Sequence, residues 1–361
     1  MATRHHNFAA GPSALPLPVL ERIRADLPEY DGTGMAVLEL NHRGREFMAL
    51  AARAEARLRR VMDVPDDYAV LFLHGPARLQ FSAVPLNLLG DAPSADYVEA
   101  GLWSEMAITE ARRLIPVNVV ASSKARRYTT FPRREDWKLD PRAAFVHYTP
   151  NETIGGLEVH EEPDTGDVPL VVDMSSNILS RPVDVRRYGA IYAGAQKNAG
   201  IPGLVLVVVR RDLLGRASPT IPRMLDWTHA VEESSLANTA PTFAWYVADL
   251  MLEWLEAEGG VAEMEARNAR KAKSLYDVID GSNFYANPVD PVYRSRMNIP
   301  FTLAEPALEP TFLAEARDHG LVGLQGHRYV GGMRASLYNA ITESEVDALA
   351  DFMRDFARRR A

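Results

Sequence analysis

One lysine between two apolar runs is the feature of this sequence whose chemistry is easiest to interpret. Lys197 follows the mostly apolar run 188–196, and after a loop rich in glycine and proline the residues 204–209 are all aliphatic. That second run is too short to cross a bilayer and is typical of a strand buried on both faces. The pattern therefore places Lys197 where two strands break, a usual position for a catalytic side chain.

The rarity of lysine in the chain adds to this interpretation. Of the 40 lysine and arginine residues only five are lysines, so arginine serves almost wherever a plain positive charge suffices. Unlike a guanidinium, a lysine amine can lose its proton and form a Schiff base. The residues alone leave two interpretations of Lys197 open, a nucleophilic amine and a solvated charge in a loop.

Two more chemical groups directly follow predicted strands. Asp173 comes after an aliphatic pair, and the run 68–73 leads into a Gly-Pro-Ala-Arg turn at 75–78 and a helical pattern at 81–89. A strand, a turn of small residues and a helix offer backbone N–H groups to a phosphate, although neither a Walker loop nor a G-x-G-x-x-G motif is present. Since ligands gather at the carboxyl ends of parallel strands, we expect the turn, Asp173 and Lys197 to converge. Read alone, Asp173 would cap the polar turn that follows it.

Composition excludes several classes of protein. With 361 residues the chain can bury a large core, and 47% hydrophobic against 24% charged residues is ordinary for a globular protein. A net charge of −8 argues against a surface that binds nucleic acid, because neutralising phosphates requires a basic excess. The absence of cysteine excludes disulfides, thiolate zinc sites and a cysteine nucleophile. The first residues lack the apolar core of a signal peptide and no run is long enough to cross a membrane, so we expect a cytoplasmic protein without a membrane partner.

Strand and helix patterns alternate through the first two thirds of the chain. This alternation predicts an α/β fold in which a mostly parallel seven-stranded sheet is covered by helices on both faces. A helical pattern at 47–62 carries four arginines off its apolar face (Arg53, Arg57, Arg59 and Arg60), which we interpret as solvated charges. The predicted strands are 68–73, 96–98, 117–120, 144–148, 170–173 and the two runs on either side of Lys197.

The rest of the chain predicts a smaller second domain. A strong helical pattern at 243–257 is followed by a charged helical stretch and then by an α+β pattern. That pattern contains a strand at 296–303, a helix at 311–319 and a last helix opened by the capping box Thr342-Glu-Ser-Glu345. We therefore predict an extended N-terminal segment at 1–15, a large domain at 16–258 and a small C-terminal domain at 259–361.

Eight segments of the chain form a distinctive set. They are Asn7-Phe-Ala-Ala-Gly-Pro, His42-Arg-Gly-Arg-Glu-Phe, Gln80-Phe-Ser-Ala-Val-Pro-Leu-Asn, His147-Tyr-Thr-Pro-Asn-Glu-Thr, Ile178-Leu-Ser-Arg-Pro-Val-Asp, Tyr192-Ala-Gly-Ala-Gln-Lys-Asn, Pro241-Thr-Phe-Ala-Trp-Tyr and Gly326-His-Arg-Tyr-Val-Gly-Gly-Met-Arg-Ala-Ser. The chain resembles, over nearly its whole length, the phosphoserine aminotransferases, which are pyridoxal-phosphate enzymes with the fold of aspartate aminotransferase. The segments around Lys197 and His327-Arg328 are specific to that family rather than to pyridoxal-phosphate enzymes at large.

The resemblance implies how pyridoxal 5′-phosphate would be held. Lys197 would carry the cofactor as a Schiff base and move protons during the reaction, and Asp173 would pair with the protonated ring nitrogen. The other contacts that the resemblance implies are the ring of Trp103 against the cofactor ring, the side chains of Thr153 and Gln196, the backbone N–H groups of Ala77 and Arg78 at the phosphate, and Asn238 and Thr239 at the phosphate of the neighbouring subunit in a homodimer.

The resemblance also implies a site for substrates with two anionic ends. Glutamate and phosphoserine share an α-carboxylate, which Arg334 would bind as a bidentate fork. They differ in the distal anion, and some of the residues around it would reach across the dimer. That distal pocket would consist of His42, Arg43, the side chain of Arg78, His327 and Arg328.

The turn before Arg78 departs from the pattern of the family. There the family usually has Gly-Gly-Gly or Gly-Gly-Ala, whereas this chain has Gly75-Pro76-Ala77. Proline removes one backbone N–H and fixes φ near −65°, so one hydrogen bond to phosphate is lost or the turn is reshaped. We expect the cofactor to bind through the N–H groups of Ala77 and Arg78, with its affinity as the property most affected.

Three functions are compatible with these residues. The one we favour is transfer of an amino group from L-glutamate to 3-phosphohydroxypyruvate in serine biosynthesis, by a ping-pong cycle through pyridoxamine phosphate. The second keeps the chemistry but acts on 4-phosphohydroxy-L-threonine in vitamin B6 biosynthesis, or on a small amino acid with glyoxylate. The third is a sensor that binds pyridoxal phosphate without turnover, against which the intact Lys197, Asp173 and Arg334 argue.

Overall fold

The strands form one large sheet and three small ones in the structure, a computed structural model that describes residues 4–360. In chain order they are β1 (His6–Asn7), β2 (Tyr68–His74), β3 (Ala95–Glu99), β4 (Val117–Ser122), β5 (Val146–Tyr148), β6 (Asn151–Glu152), β7 (Leu157–Glu158), β8 (Leu170–Asp173), β9 (Ala190–Gly194), β10 (Leu204–Arg210), β11 (Tyr285–Ala286), β12 (Asn298–Leu303), β13 (Leu321–Val322) and β14 (Met333–Ser336). The large sheet has seven strands in the order β2-β10-β9-β8-β5-β3-β4. All of them are parallel except β10, which is antiparallel to both neighbours, so the predicted sheet is confirmed.

Helices cover this sheet on both faces. In chain order, the α-helices of the described residues are α1 (Leu17–Asp26), α2 (Arg45–Met62), α3 (Gln80–Leu88), α4 (Leu102–Ala111), α5 (Trp227–Glu232), α6 (Thr242–Ala257), α7 (Gly260–Asp280), α8 (Glu309–Asp318) and α9 (Glu343–Arg360), of which α8 and α9 pack elsewhere. Strand β10 shows why a continuous aliphatic run fits here. Leu204, Leu206 and Val208 pack in the core that contains α2 and α6, whereas the alternate valines 205, 207 and 209 pack in the core that contains α3 and α4. A strand between two layers needs apolar residues on both sides.

A second core lies around the antiparallel sheet β11-β12-β14 and the helices α8 and α9. The N-terminal segment belongs structurally to this part, since β1 pairs with β13 and Phe8 is fully buried in the same core. Helix α7 joins the two cores, because Met264 packs in the larger one and Leu275 in the smaller one. The domain boundary at 258/259 stays a prediction.

The strands and helices whose bounds are given above are found, with ends that differ by at most two residues. The capping box of the last helix forms as predicted. Glu345 Oε2 accepts the N–H of Thr342 at 2.8 Å, and Thr342 Oγ1 accepts the N–H of Glu345 at 3.3 Å. Within residues 4–360, no helix combines the length and the apolar composition that crossing a membrane requires.

One interpretation of the α2 helix is wrong. Arg57 is not a solvated charge, since its side chain is only 12% exposed and donates to Asp249 Oδ1 at 2.6 Å. Arg53 donates to the other oxygen, Oδ2, at 2.7 Å. Asp249 lies on α6 with 0% exposure, so the two arginines, four residues apart on α2, neutralise a carboxylate buried between the helices. The sequence pattern of α2 contained no sign of that partner.

Candidate active site

A cavity of about 260 Å³ lies where β2, β8 and β9 end, on the carboxyl edge of the large sheet. It brings together residues from the turn after β2, from the end of β8 and from the loop after β9, as the sequence predicts for a parallel sheet. The predicted site residues that line it are Ala77, Arg78, Trp103, Thr153, Asp173, Gln196, Lys197, His327 and Arg334.

A larger groove of about 930 Å³ lies at the opposite edge of the sheet, before the strands β3, β4, β5 and β8 begin. Its charged residues are Asp91, Asp167 and Arg216, and it contains no lysine or histidine. Size alone therefore does not identify the site. Convergent polar groups with perturbed pKa values do, and they lie in the smaller cavity.

Lys197 points its amine into this smaller cavity. Nζ donates a hydrogen bond to Thr153 Oγ1 at 2.6 Å and lies 5.1 Å from the centre of the Trp103 ring. Burial lowers the pKa of Lys197 to about 8; the nearby carboxylate of Asp173 opposes this effect and the charge of Arg334 adds to it. The amine thus has the surroundings of a titratable nucleophile rather than those of a solvated charge.

Asp173 is a buried carboxylate with one oxygen left for a ligand. Oδ1 accepts the backbone N–H and the hydroxyl of Ser175 at 2.9 and 2.5 Å, which is the turn cap that its sequence position allows. The side chain is 5% exposed and forms no ion pair within residues 4–360. Burial raises its pKa, ahead of the opposing effects of Ser175 and Lys197. A buried carboxylate without a cation is costly, so this position suits a cationic ring nitrogen.

The turn after β2 is the start of a helix that faces the cavity. Gly75 has φ of 96°, which glycine adopts without strain, and Pro76 has φ of −80°, close to what its ring requires. Residues Ala77–Leu79 then form one helical turn that runs into α3. The N–H groups of Ala77 and Arg78 lie in that first turn, where no intrahelical acceptor is available, so they are free for an anion.

Trp103 forms one wall of the cavity from the first turn of α4. Its backbone N–H and that of Ser104 are bound by the carboxylate of Glu152, at 2.9 and 2.8 Å. Burial raises the pKa of Glu152 to about 7, ahead of the opposing effect of those two N–H groups. Glu152 was not among the predicted site residues, and the one signal for it in the sequence was that Gly101, the residue before the helix, has no side chain with which to cap it.

Gln196 and Lys197 are held by the N-terminal segment and by the small domain. The carbonyl oxygen of Gln196 accepts the N–H of Ser13 at 3.0 Å. The next residue, Asn198, donates to the carbonyl of Ile178 at 2.6 Å and accepts the N–H of Asn339 at 2.9 Å. The lysine loop is therefore tied on both sides of the reactive residue.

Arg334 and His327 enter the cavity from the small domain. Arg334 lies on β14 and donates from Nη1 to the carbonyl of Thr153 at 3.2 Å, while its buried Nε has no partner among residues 4–360. Burial lowers the pKa of Arg334, and also that of His327, where the charges of Arg334 and Arg328 add to the effect. An arginine donor buried without an acceptor is incomplete, so this position suits an anion.

Five predicted residues lie outside this cavity, namely His42, Arg43, Asn238, Thr239 and Arg328. Arg43 donates to the carbonyl of Leu236 at 3.3 Å and to His42 Nε2 at 3.4 Å, which puts the 42–43 loop beside the segment that leads to Asn238 and Thr239. Arg328 is exposed, and its guanidinium lies 4.9 Å from the centre of the Tyr329 ring. One chain alone does not bring these groups to Lys197, and their predicted roles across a dimer stay predictions.

Comparison with known proteins adds an independent line of evidence. The class-V aminotransferase family model matches residues 5–349. The phosphoserine aminotransferase of Hahella chejuensis is 56% identical over 361 residues, with 100% of both chains covered. Among solved structures, the phosphoserine aminotransferase of Bacillus circulans subsp. alkalophilus has a TM-score of 0.97 at 44% identity, with 99% of each chain covered. The pyridoxal-phosphate-bound phosphoserine aminotransferase of Trichomonas vaginalis has a TM-score of 0.94 at 40% identity, covering 97% of this chain and 100% of its own.

Proposed function

This chain belongs to the class-V aminotransferase family, and on that premise we propose that it acts as a phosphoserine aminotransferase. It transfers an amino group reversibly between L-glutamate and 3-phosphohydroxypyruvate, giving O-phospho-L-serine and 2-oxoglutarate in serine biosynthesis. Both amino acids have a carboxylate on the α-carbon and a second anion at the far end. The site must therefore bind two anions on either side of one reactive amine.

Pyridoxal phosphate is the cofactor of this chemistry, and the residues of the cavity fit it. When bound, it supplies an aldehyde and an electron-withdrawing ring that makes the α-proton of an amino acid acidic. The Lys197 amine would hold the aldehyde, Asp173 the ring nitrogen, and the N–H groups of Ala77 and Arg78 the phosphate. The buried N–H of the Trp103 indole has no partner within the described residues, and the face of that ring borders the cavity.

Lys197 is suited to transfer protons in this site. With a pKa of about 8, its amine is neutral in a useful fraction of molecules near neutral pH, which the ordinary lysine pKa of about 10.4 would not allow. The hydroxyl of Thr153 holds Nζ at 2.6 Å, so the amine has a defined position from which to remove and return the proton of the substrate α-carbon. The carboxylate of Asp173 lines the same cavity and favours the charged form of the amine, which opposes the effect of burial.

The observation that carries the substrate assignment is a set of three basic side chains in one small cavity. Arg334, whose buried Nε has no partner within the described residues, lines the walls together with His327 and Arg78. Arg334 is suited to grip the α-carboxylate as a planar fork. The other two side chains would then meet the distal phosphate or carboxylate.

We include a homodimer in this proposal. His42 and Arg43 lie beside the segment that carries Asn238 and Thr239, and all four are outside the cavity of their own chain. As a neighbouring group they would complete the distal-anion and phosphate sites of a second subunit. Mixing Lys197→Ala with Arg43→Ala protein tests this directly, because hybrid dimers should regain one intact site and part of the activity. Mixtures no more active than either variant alone would contradict shared sites.

A second phosphorylated substrate is compatible with the same groups. 4-Phosphohydroxy-L-threonine also has an α-carboxylate and a distal phosphate, so Arg334 and His327 would serve it in the same way. A small amino acid with glyoxylate would leave the distal basic side chains without an anion, which makes that alternative less suitable.

A substrate panel tests the proposal. We expect wild-type protein to use glutamate with 3-phosphohydroxypyruvate far better than with pyruvate or glyoxylate. His327→Ala should lower kcat/KM for O-phosphoserine about tenfold, since one hydrogen bond to a charged group is lost, and leave alanine within about twofold. His319→Ala is the matched control, because that histidine is exposed at the end of α8. Equal losses for phosphoserine and alanine in the His327 variant would contradict the distal-anion site.

A further inference from the structure

Glu152 is a buried carboxylate beside the cavity to which the reaction described above gives no role. Its side chain is 1% exposed, and its oxygens bind the backbone N–H groups of Trp103 and Ser104. These are the second and third residues of α4, so one carboxylate satisfies two of the N–H groups that the start of a helix leaves free. A negative charge at this end also interacts favourably with the helix dipole.

Helix α4 has no side chain at its N-cap position that could accept its free N–H groups. The residue before it is Gly101, and a Cβ built on Gly101 would lie 2.1 Å from Cδ of Glu152. Its φ of 177° is extended backbone open to any residue, so the backbone conformation does not require glycine. Space for the Glu152 carboxylate does. The cap is thus supplied by a residue 49 positions later in the chain instead of by the usual neighbouring side chain.

The position of Glu152 couples the helix to the reactive amine. Glu152 ends β6, and the next residue, Thr153, accepts the hydrogen bond from Lys197 Nζ at 2.6 Å. Through the backbone of α4, Glu152 also holds the Trp103 ring, whose centre is 5.1 Å from the same Nζ. Two adjacent residues of one short hairpin therefore set both the hydrogen-bond partner and the aromatic wall of the amine.

We propose that Glu152 is a positioning residue of the cofactor site, which holds the Trp103 ring against the space beside Lys197 by capping α4. The inference rests on the proposed function, since it takes the Trp103 ring as the wall on which a pyridine ring stacks. Glu152 does not need to touch the cofactor or the substrate for this role.

The variant that tests the role is Glu152→Gln, which keeps the size of the side chain but removes its charge and one of its two acceptor oxygens. Its matched control is Glu158→Gln. Glu158 lies on the other strand of the same hairpin, is also 1% exposed, and accepts the backbone N–H of Arg296 at 2.7 Å instead of one from α4. Both variants remove a buried carboxylate that binds backbone.

Two readouts do not require turnover. The first is the dissociation constant of pyridoxal phosphate, measured by titrating full-length protein that has been freed of cofactor. The second is the fluorescence contributed by Trp103, defined as the part of the emission that Trp103→Phe removes. We expect Glu152→Gln to raise the dissociation constant about tenfold or more and to shift the Trp103 emission to longer wavelength. Glu158→Gln should change the dissociation constant by less than about twofold and leave the emission in place.

The outcomes separate this role from a general one and from the proposed function. If Glu152→Gln kept the wild-type dissociation constant and Trp103 emission, or if Glu158→Gln changed both equally, the positioning role would be wrong. The proposed function would stand in that case, as long as the wild-type protein binds cofactor and catalyses transamination. Wild-type protein that bound no pyridoxal phosphate would overturn the proposed function as well. If Glu152→Gln does not fold, the double variant Gly101→Ser/Glu152→Ala replaces it, because serine caps the helix locally in the vacated space. That variant should bind cofactor with nearly the wild-type dissociation constant. If it folded but bound cofactor much more weakly than the wild-type protein, positioning through the cap would be contradicted.

Discussion

Lys197 and Lys271, the two lysines of this chain with strongly lowered pKa values, show how surroundings make the same side chain either reactive or structural. Lys271 is 2% exposed, and its Nζ donates to the carbonyl oxygens of Leu337, Tyr338 and Ile341, each at 2.9 Å. These three bonds use every hydrogen of an ammonium group. Within the described residues Lys197 has a single side-chain acceptor, Thr153 Oγ1, and its amine otherwise faces the cavity.

The pKa alone does not distinguish the two amines. Burial lowers the pKa of Lys197 to about 8 and that of Lys271 to about 7, so the structural lysine is the more perturbed. The two amines differ in whether a reactant can approach them. Lys271 is enclosed by the carbonyls it binds, whereas Lys197 lines a cavity together with Asp173 and Arg334. A perturbed pKa therefore indicates a catalytic group only where a reactant can approach it.

The largest expected effect comes from removing the titratable amine of Lys197. Lys197→Arg keeps the positive charge but cannot bind the cofactor covalently, and we expect kcat to fall by about 10³-fold or more. The cofactor should leave with the small molecules on gel filtration, and borohydride reduction should no longer add its mass to the protein. Wild-type transamination by this variant would show that the reactive amine lies elsewhere.

The next effect is on stability and concerns Lys271. Lys271→Met leaves three buried carbonyls without a donor, and we expect the free energy of unfolding to fall by about 3 kcal/mol. Lys197→Met is the matched control and should change it by about 1 kcal/mol or less, since it removes one hydrogen bond. Urea denaturation of cofactor-free protein measures both. If Lys197→Met destabilised the protein more than Lys271→Met, the assignment of Lys271 as the structural lysine and Lys197 as the reactive one would be contradicted.

From the sequence we assigned a role to Lys197 and none to Lys271. At 271 the lysine directs three hydrogens at three carbonyls. Those carbonyls come 66 to 70 residues later, so no local pattern indicated them. The shared location of Lys197 and Asp173 was predictable, because Asp173 ends one strand and Lys197 lies in the loop after its neighbour in the same sheet.

Other features depended on contacts between distant parts of the chain. Glu152 caps a helix that begins 50 positions earlier, and Arg57 meets a carboxylate on another helix, so neither was visible in local periodicity. Trp103 and Arg334, which the resemblance assigned to the site, both line the cavity, and their roles there stay predictions. The resemblance also assigned His42 to the site, and that assignment needs a second subunit. Patterns within one chain predict its own sheet and helices, whereas a shared site depends on an assembly.

A smaller effect tests what Arg334 does in the neighbourhood of Lys197. Arg334→Ala should lower kcat/KM about 10- to 100-fold for every amino-acid substrate, because the α-carboxylate that they share loses a charged partner. Alanine and phosphoserine should therefore lose similar factors, measured from the initial rates of transamination with each substrate. A loss confined to phosphoserine would place Arg334 at the distal anion instead.

The smallest effect is a shift along the pH axis, and it distinguishes the two lysines most directly. Attachment of cofactor requires a neutral amine, whose fraction grows with pH, so the attachment rate should rise to half its maximum near pH 8. The charge of Arg334 lowers the pKa of Lys197, and Arg334→Ala should therefore move this half-point to higher pH. Lys271→Met should leave it unchanged, because that amine lies outside the cavity. Stopped-flow absorbance with pyridoxal phosphate gives the pH profiles of the wild-type protein and both variants. If Lys271→Met shifted the half-point and Arg334→Ala did not, the titrating amine would not be Lys197.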